Sequence, residues 1–349
     1  MAAAPNNDTE FRAQPRVYSV QTTPSHSQAL WYVNPGLSEL RHEPISPPTK
    51  GDYQVHARYS AISRGTESLI FQGLVPESEF DRMRAPFMGG EFPFPVKYGY
   101  CHVGEVTSGP KDLLGQHVFS LSPHQDVLNL PASALIAVPP AVSIKRAVLA
   151  ANMETALNAV WTGKPCAADR IAVVGGGLIG LLVAYLCGHL PGASVTVIDP
   201  LPTRERICRR LGVGFAATAC GIENCDIVFH TSASAQGLDT ALSVAGNEAT
   251  VVELSWYGNK SVPARLGQAF HSQQLKLLSC QVGHIESSHR PRWDYQRRLA
   301  AAMSMLADER LDCLLETPIH FANLPEELPN ILKPGADRLC QVIDYSHGA

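Results

Sequence analysis

The sequence predicts a two-domain α/β protein, a small β-rich domain followed by a doubly wound parallel sheet. Three observations carry this. At 349 residues the chain exceeds the roughly 250–300 residues that one hydrophobic core organises. From about residue 17 to 140 it reads as short strands at regular spacing, broken by glycine and proline. At Ser143 the periodicity changes, and from Arg170 short β-branched runs alternate with helical stretches, the pattern of a parallel sheet covered by helices.

Met1 to Arg16 is polar, with no apolar signal core, and reads as a disordered lead-in. Strand-like sequence follows over 17–33. Residues 53–62 partly alternate apolar and polar, as a half-buried strand does. Ser63-Arg64-Gly65-Thr66-Glu67 reads as a polar loop with side chains able to touch a ligand, and 68–72 as a short helix. Strands are expected over 92–106, 115–121 and 127–131, and a helix over 144–160. After the second domain opens, helices are expected at 178–189, 204–211, 238–245 and 295–306. Strands are expected at 170–174, 194–198, 226–230, 249–254 and 275–282.

Composition narrows the function classes. The formal net charge of −4 gives no electrostatic footprint for nucleic acid or anionic membrane. No apolar run reaches the ~18–20 residues that span a bilayer. Nine cysteines, an odd number without C-x-x-C pairs, read as reduced thiols of a cytoplasmic protein.

The most informative stretch runs from Arg170 to Gly180. A β-branched strand ends in Gly175, Gly177 and Gly180, spaced G-x-G-x-x-G, and an apolar helix follows. Gly175 makes the turn, Gly177 lets backbone approach a pyrophosphate, and Gly180 lets helix and strand pack closely. The helix start at Leu178 and Ile179 then offers N–H groups to the phosphates. The next strand ends in Asp199, where an acid meets a ribose 2′-hydroxyl. Asp199 favours NAD(H) over NADP(H). Arg204, five residues on, softens that preference, unless it lies on the solvent face of its helix with Arg206, Arg209 and Arg210. Ser232, after the fourth sheet strand, sits where loops meet a cofactor.

The stretches Ala61-Ile62-Ser63-Arg64-Gly65-Thr66-Glu67, Tyr98-Gly99-Tyr100-Cys101-His102-Val103-Gly104-Glu105-Val106, Glu154-Thr155-Ala156 and the glycine turn closed by Asp199 together resemble the medium-chain dehydrogenase/reductase superfamily. Ser63–Glu67 with the following Phe71–Pro76 segment is also distantly similar to bacteriochlorophyllide hydroxyethyl dehydrogenase-like proteins. The resemblance implies a GroES-like β-rich catalytic domain over 17–147 and 285–349, and a Rossmann cofactor domain over 148–284. It also implies that Thr155 and Val282 lie against the cofactor, and that two chains dimerise through the strand at 275–282.

In the zinc enzymes of that superfamily three ligand positions match Arg64, Tyr100 and Ala151 here. Arginine repels Zn²⁺ and alanine has no donor atom. Residues 119–138 contain no cysteine for a structural zinc lobe. The expectation is therefore no zinc. Cys101, His102, His124 and His56 are the residues a relocated site would draw on. Without the metal, Arg64 and Tyr100 are expected to converge on the substrate oxygen as hydrogen-bond donors. The resemblance gives Thr66 the first place in a proton relay, and Glu67 is expected to orient Arg64 or the loop. The competing structural readings are an Arg64–Glu67 salt bridge and a packed Tyr100. Lys97 and His102 are lesser candidates.

These residues imply a zinc-independent NAD(P)(H)-dependent oxidoreductase acting on an alcohol/carbonyl pair of a small molecule. Phe87, Phe92, Phe94 and Tyr98 either line a pocket for a ring-bearing substrate or are ordinary core. Reduction of an activated C=C bond or a quinone is the nearest alternative. A non-catalytic nucleotide-binding or sensory protein is the alternative of another class.

Overall fold

The computed structural model describes residues 25–45 and 47–346, so the expected lead-in lies outside the described residues. In chain order the first part comprises β1 (His26–Asn34), β2 (Leu37–Pro44), β3 (Asp52–Ile62), α1 (Arg64–Phe71), β4 (Gly89–Gly90), β5 (Val96–Lys97), β6 (His102–Ser108), β7 (His117–Ser120), β8 (Val127–Pro131) and β9 (Ile136–Ala137). The second comprises α2 (Ala150–Gly163), β10 (Arg170–Val174), α3 (Leu178–Cys187), β11 (Ser194–Ile198), α4 (Thr203–Leu211), β12 (Gly214–Ala216), β13 (Cys225–His230), α5 (Ala235–Val244), β14 (Ala245–Glu253) and β15 (Lys276–Ser279). The chain closes with α6 (Tyr295–Met305), β16 (Ile319–His320), α7 (Leu324–Ile331) and β17 (Gln341–Asp344).

β10 to β15 form one six-stranded sheet in the order β12-β11-β10-β13-β14-β15, every pair parallel. The order reverses between β10 and β13, the switch point where doubly wound sheets open a crevice for a ligand. β10 is buried from Ile171 to Val174, which is why it reads as a continuous apolar run. The β-rich part holds a four-stranded sheet, β2-β1-β5-β4, and a larger sheet around β3, which pairs with β6, β8 and the returning β17.

Three local expectations change. Residues 63–67 are not a loop: Ser63 is the N-cap of α1, and Glu67 reaches back to accept the Ser63 N–H at 2.7 Å. That reciprocal bond satisfies a donor which a helix start otherwise leaves orphaned. The strand expected through 98–101 begins only at His102, because Gly99 adopts φ +131° and breaks the ladder. The strand expected over 275–282 ends at Ser279, leaving Gln281–Gly283 as a turn beyond the sheet.

The helix at 295–305 packs on α2, and Leu299, Ala302 and Met303 join a core cluster that also holds Met153, Val173 and Leu181. Residues before and after the parallel sheet are thus fastened together by apolar burial. No helix among the described residues is long and apolar enough to cross a membrane.

Candidate functional site

The glycine turn has the shape its spacing implies. Gly175 adopts φ +112°, a region open chiefly to glycine. A Cβ on Gly180 would lie 2.0 Å from the Gly175 carbonyl, so only hydrogen fits between helix and turn. Gly177 caps α3 at its N-terminus, and a Cβ there would meet nothing within 4 Å. Backbone N–H groups at Gly177, Leu178 and Ile179 therefore begin a ten-residue helix beside open space, which fits a pyrophosphate. Asp199 accepts from the N–H of Gly176 at 2.7 Å and of Leu201 at 2.9 Å, which fixes its carboxylate at the end of β11. Ser232 Oγ lies 2.7 Å from His230 Nε2. His230 in turn contacts Glu253 through Nδ1 at 2.6 Å, and Tyr257 donates to the same carboxylate at 3.0 Å. This group, centred on the buried His230, braces the carboxyl ends of β13 and β14.

Arg204 is not on the solvent face of α4. It is buried, while Arg206, Arg209 and Arg210 are exposed, and its Nη1 contacts Asp337 at 2.7 Å.

A cavity of about 580 Å³ opens beside α2, lined among others by Thr66, Tyr100, Glu154, Thr155, Val282 and Arg298. The Tyr100 hydroxyl is 2.5 Å from Ser63 Oγ and 3.1 Å from Thr66 Oγ1. Three hydroxyls sharing two contacts leave at least one O–H with no protein acceptor, and Thr66 is on the cavity wall. Burial pushes the Tyr100 phenol well above its ordinary range, so it stays protonated. Thr155 Oγ1 donates to the Ala151 carbonyl, one helical turn back.

Arg64 does not converge with Tyr100. Its guanidinium donates to the carbonyls of Ile331 at 2.9 Å, Arg338 at 2.7 Å and Lys333 at 3.3 Å, fastening the segment after α7. It points there because α1 begins at Arg64 and turns that side chain away from the cavity side occupied by Thr66. Glu67 neither orients Arg64 nor pairs with it. It is fully buried and accepts from Tyr32 at 2.5 Å, with His124 Nε2 at 3.0 Å. Lys97 pairs with Glu43 and donates to Gln125 at 2.8 Å, and His102 is buried against the Gln125 carbonyl. Of the four aromatics, Phe87 and Tyr98 line the cavity, whereas Phe92 and Phe94 pack in the β-domain core.

The donor set does not fit a zinc ion. The three matched positions present a guanidinium spent on carbonyls, a phenol bonded to two hydroxyls, and a methyl group. Among the described residues no three His, Cys, Asp or Glu side chains are grouped to hold a metal. Cys101 is buried and contacts Asn152, while His124 is committed to Glu67 and Ser60.

Two cavity residues received no role from the sequence, although Glu154 stands in the Glu154-Thr155-Ala156 stretch. Glu154 and Arg298 form a buried pair, Nε to Oε1 at 3.0 Å. The signal for Arg298 was a cation on the apolar face of a helix beside Leu299, Ala302 and Met303. The signal for Glu154 was its spacing: Ala151, Glu154 and Thr155 stand at i, i+3 and i+4 on one helix face.

No family model matches the chain. D-Guloside 3-dehydrogenase of Escherichia coli K12 is 24% identical over 307 residues, covering 79% of this chain and 87% of that protein. A zinc-binding dehydrogenase of Sinorhizobium meliloti 1021, bound to NADP, superposes with a TM-score of 0.74 at 17% identity, covering 92% of this chain and all of that one. The alcohol dehydrogenase RspB of Escherichia coli CFT073, complexed with NADH, gives 0.71 at 16% identity over the same share of this chain. The chain thus shares the two-domain fold of these solved dehydrogenases, a β-rich part and a parallel sheet with the glycine turn.

Proposed function

We propose that the protein is a zinc-independent dehydrogenase that moves hydride between a nicotinamide cofactor, NAD(H) in preference to NADP(H), and a secondary alcohol or its ketone on a polyhydroxylated, ring-bearing small molecule. The observation that carries this reading is the cavity whose wall joins Tyr100 and Thr66 to Val282. It presents protonated hydroxyls opposite the turn that follows the last strand of the parallel sheet. The cofactor would be held by Gly175, Gly177, Leu178, Ile179 and Gly180 at the phosphates and by Asp199 at the ribose. It supplies the hydride acceptor. The chain's own residues bind and orient the alcohol, and the neutral Tyr100–Ser63–Thr66 cluster donates to its oxygen as charge develops there. The sugar-type substrate class is supported by the guloside dehydrogenase relative, and a ring fits the cavity flanked by Phe87 and Tyr98.

The experiment is fluorescence titration with NADH and NADPH, followed by a screen of glycosides and polyols on protein stripped by a chelator. Tight NADH binding and chelator-resistant turnover are expected. Activity that vanishes with the metal and returns with Zn²⁺ would overturn zinc independence. Binding of neither nucleotide would overturn the whole reading.

A further inference from the structure

We propose that Glu154 is the proton acceptor of the hydride-transfer site. The inference rests on the oxidoreductase reading and deepens it.

Glu154 stands on α2, one turn beyond Ala151, in the wall of the cavity that also holds Thr66, Tyr100 and Val282. Its Oε1 accepts from Arg298 Nε at 3.0 Å. Arg298 is 1% exposed and cannot swing away, because Nη1 donates to Asn158 at 2.7 Å and Nη2 to the Val282 carbonyl at 2.5 Å. One carboxylate oxygen is therefore clamped. The other, Oε2, has no hydrogen-bond partner among the described residues. That oxygen is not sealed away from the cavity its residue lines, so a ligand that brings its own O–H can reach it and supply the missing donor. An alcohol brings that group.

The other charged and titratable groups of the cavity wall are Tyr295 on α6, Tyr98 and Tyr100, and Arg82 and Arg84 of the loop opposite. Only Arg298 contacts the carboxylate. Burial raises the Glu154 carboxyl above its ordinary range, and Arg298 holds it partly back. Such a group accepts a proton more readily than a solvated carboxylate.

The step balances. In the oxidising direction the O–H bond of the alcohol breaks and its proton goes to Glu154 Oε2. The carbinol C–H bond gives up hydrogen with both electrons to the cofactor, and the electron pair of the former O–H bond closes the C=O bond. In reverse, the protonated Glu154 returns the proton to the new alkoxide.

The test uses NAD⁺ and NADH with the full chain and needs no substrate. NAD⁺ carries a positive ring that favours an ionised neighbour, so its binding should expel the Glu154 proton near the carboxyl's pKa. Calorimetry in buffers of different ionisation enthalpy, from pH 5 to 8, reads this release. Glu154→Gln keeps an acceptor for Arg298 and removes the charge. The expected result is loss of proton release and about tenfold weaker NAD⁺ binding, with NADH affinity and melting temperature unchanged. Proton release and an NAD⁺/NADH ratio identical to wild type would overturn the proposal. Parallel loss of both nucleotides with a lowered melting temperature would also overturn it, leaving Glu154 as a brace between α2 and α6. Wild-type protein that binds neither nucleotide sinks the oxidoreductase reading instead, and this proposal with it.

Discussion

Arg204 Nη1 lies 2.7 Å from Asp337 Oδ1, joining the helix after the second strand of the parallel sheet to the segment that follows α7. Thr203 donates to the other oxygen of Asp337 at 2.8 Å. The stem of Arg204 packs beside Asp199 against Gly176, since a Cβ on Gly176 would meet Asp199 Cβ at 3.1 Å and Arg204 Cγ at 3.2 Å. The cation that would welcome a 2′-phosphate is therefore already neutralised, while the anion that favours a 2′-hydroxyl is fixed at the turn. Asp337→Asn keeps the shape and releases the charge of Arg204. We predict that it tightens NADPH binding about tenfold relative to NADH, read by parallel titrations. An unchanged ratio would mean Asp199 alone sets the preference.

Tyr100 touches two hydroxyls and is held neutral by burial, so its contribution is donation and not proton abstraction. Tyr100→Phe removes one O–H from the cluster and leaves the ring in place. We predict a fall in kcat of about 100-fold, the size of losing one oxyanion donor, with NADH affinity retained and no change in the shape of the pH profile below pH 9. A variant as active as wild type would reduce Tyr100 to a packed aromatic.

The sequence made the parallel sheet legible almost strand by strand, because β10, β11 and β13 are buried enough to leave unbroken β-branched runs between glycine punctuation. The cavity was less legible. Tyr100 and Thr66 are close in space through the pairing of β3 with β6 and the start of α1, which no spacing along the chain reveals. Arg64 was expected beside Tyr100 because both match ligand positions of the zinc enzymes, whereas the first turn of α1 sends it to three carbonyls 267 to 274 residues away. Glu154 and Arg298, 144 residues apart, acquire their meaning only when α6 docks on α2.

His102 is fully buried, with Nε2 3.2 Å from the Gln125 carbonyl, and burial lowers its pKa to about 4. The unfolded chain takes up this proton near pH 6.5 and the folded chain does not until about pH 4. Between those values the unfolded state binds more protons, so stability rises with pH and is lost on acidification. We predict a loss of roughly 3 kcal/mol from this residue between pH 6.5 and 4. Urea unfolding at a series of pH values should show a shallower acid loss in His102→Asn than in wild type. Equal slopes would assign the loss to other groups.

β15 closes the parallel sheet, and all four of its residues are exposed, with Leu277 38% and Leu278 40% accessible. An open strand edge that carries leucines is a template for pairing with another strand. Lys276 at the start of the strand is the single charge that would oppose such pairing. We therefore propose that two copies of the chain associate edge to edge along β15, extending the six-stranded sheet across a two-fold axis. Light scattering on the eluting protein should give twice the chain mass. Leu278→Lys should give the single-chain mass with NADH binding kept, because the Gly175–Gly180 turn belongs to β10 and α3 and not to this edge. A wild-type protein that elutes as one chain at every concentration would remove the dimer and leave the Leu277–Leu278 edge without an occupant.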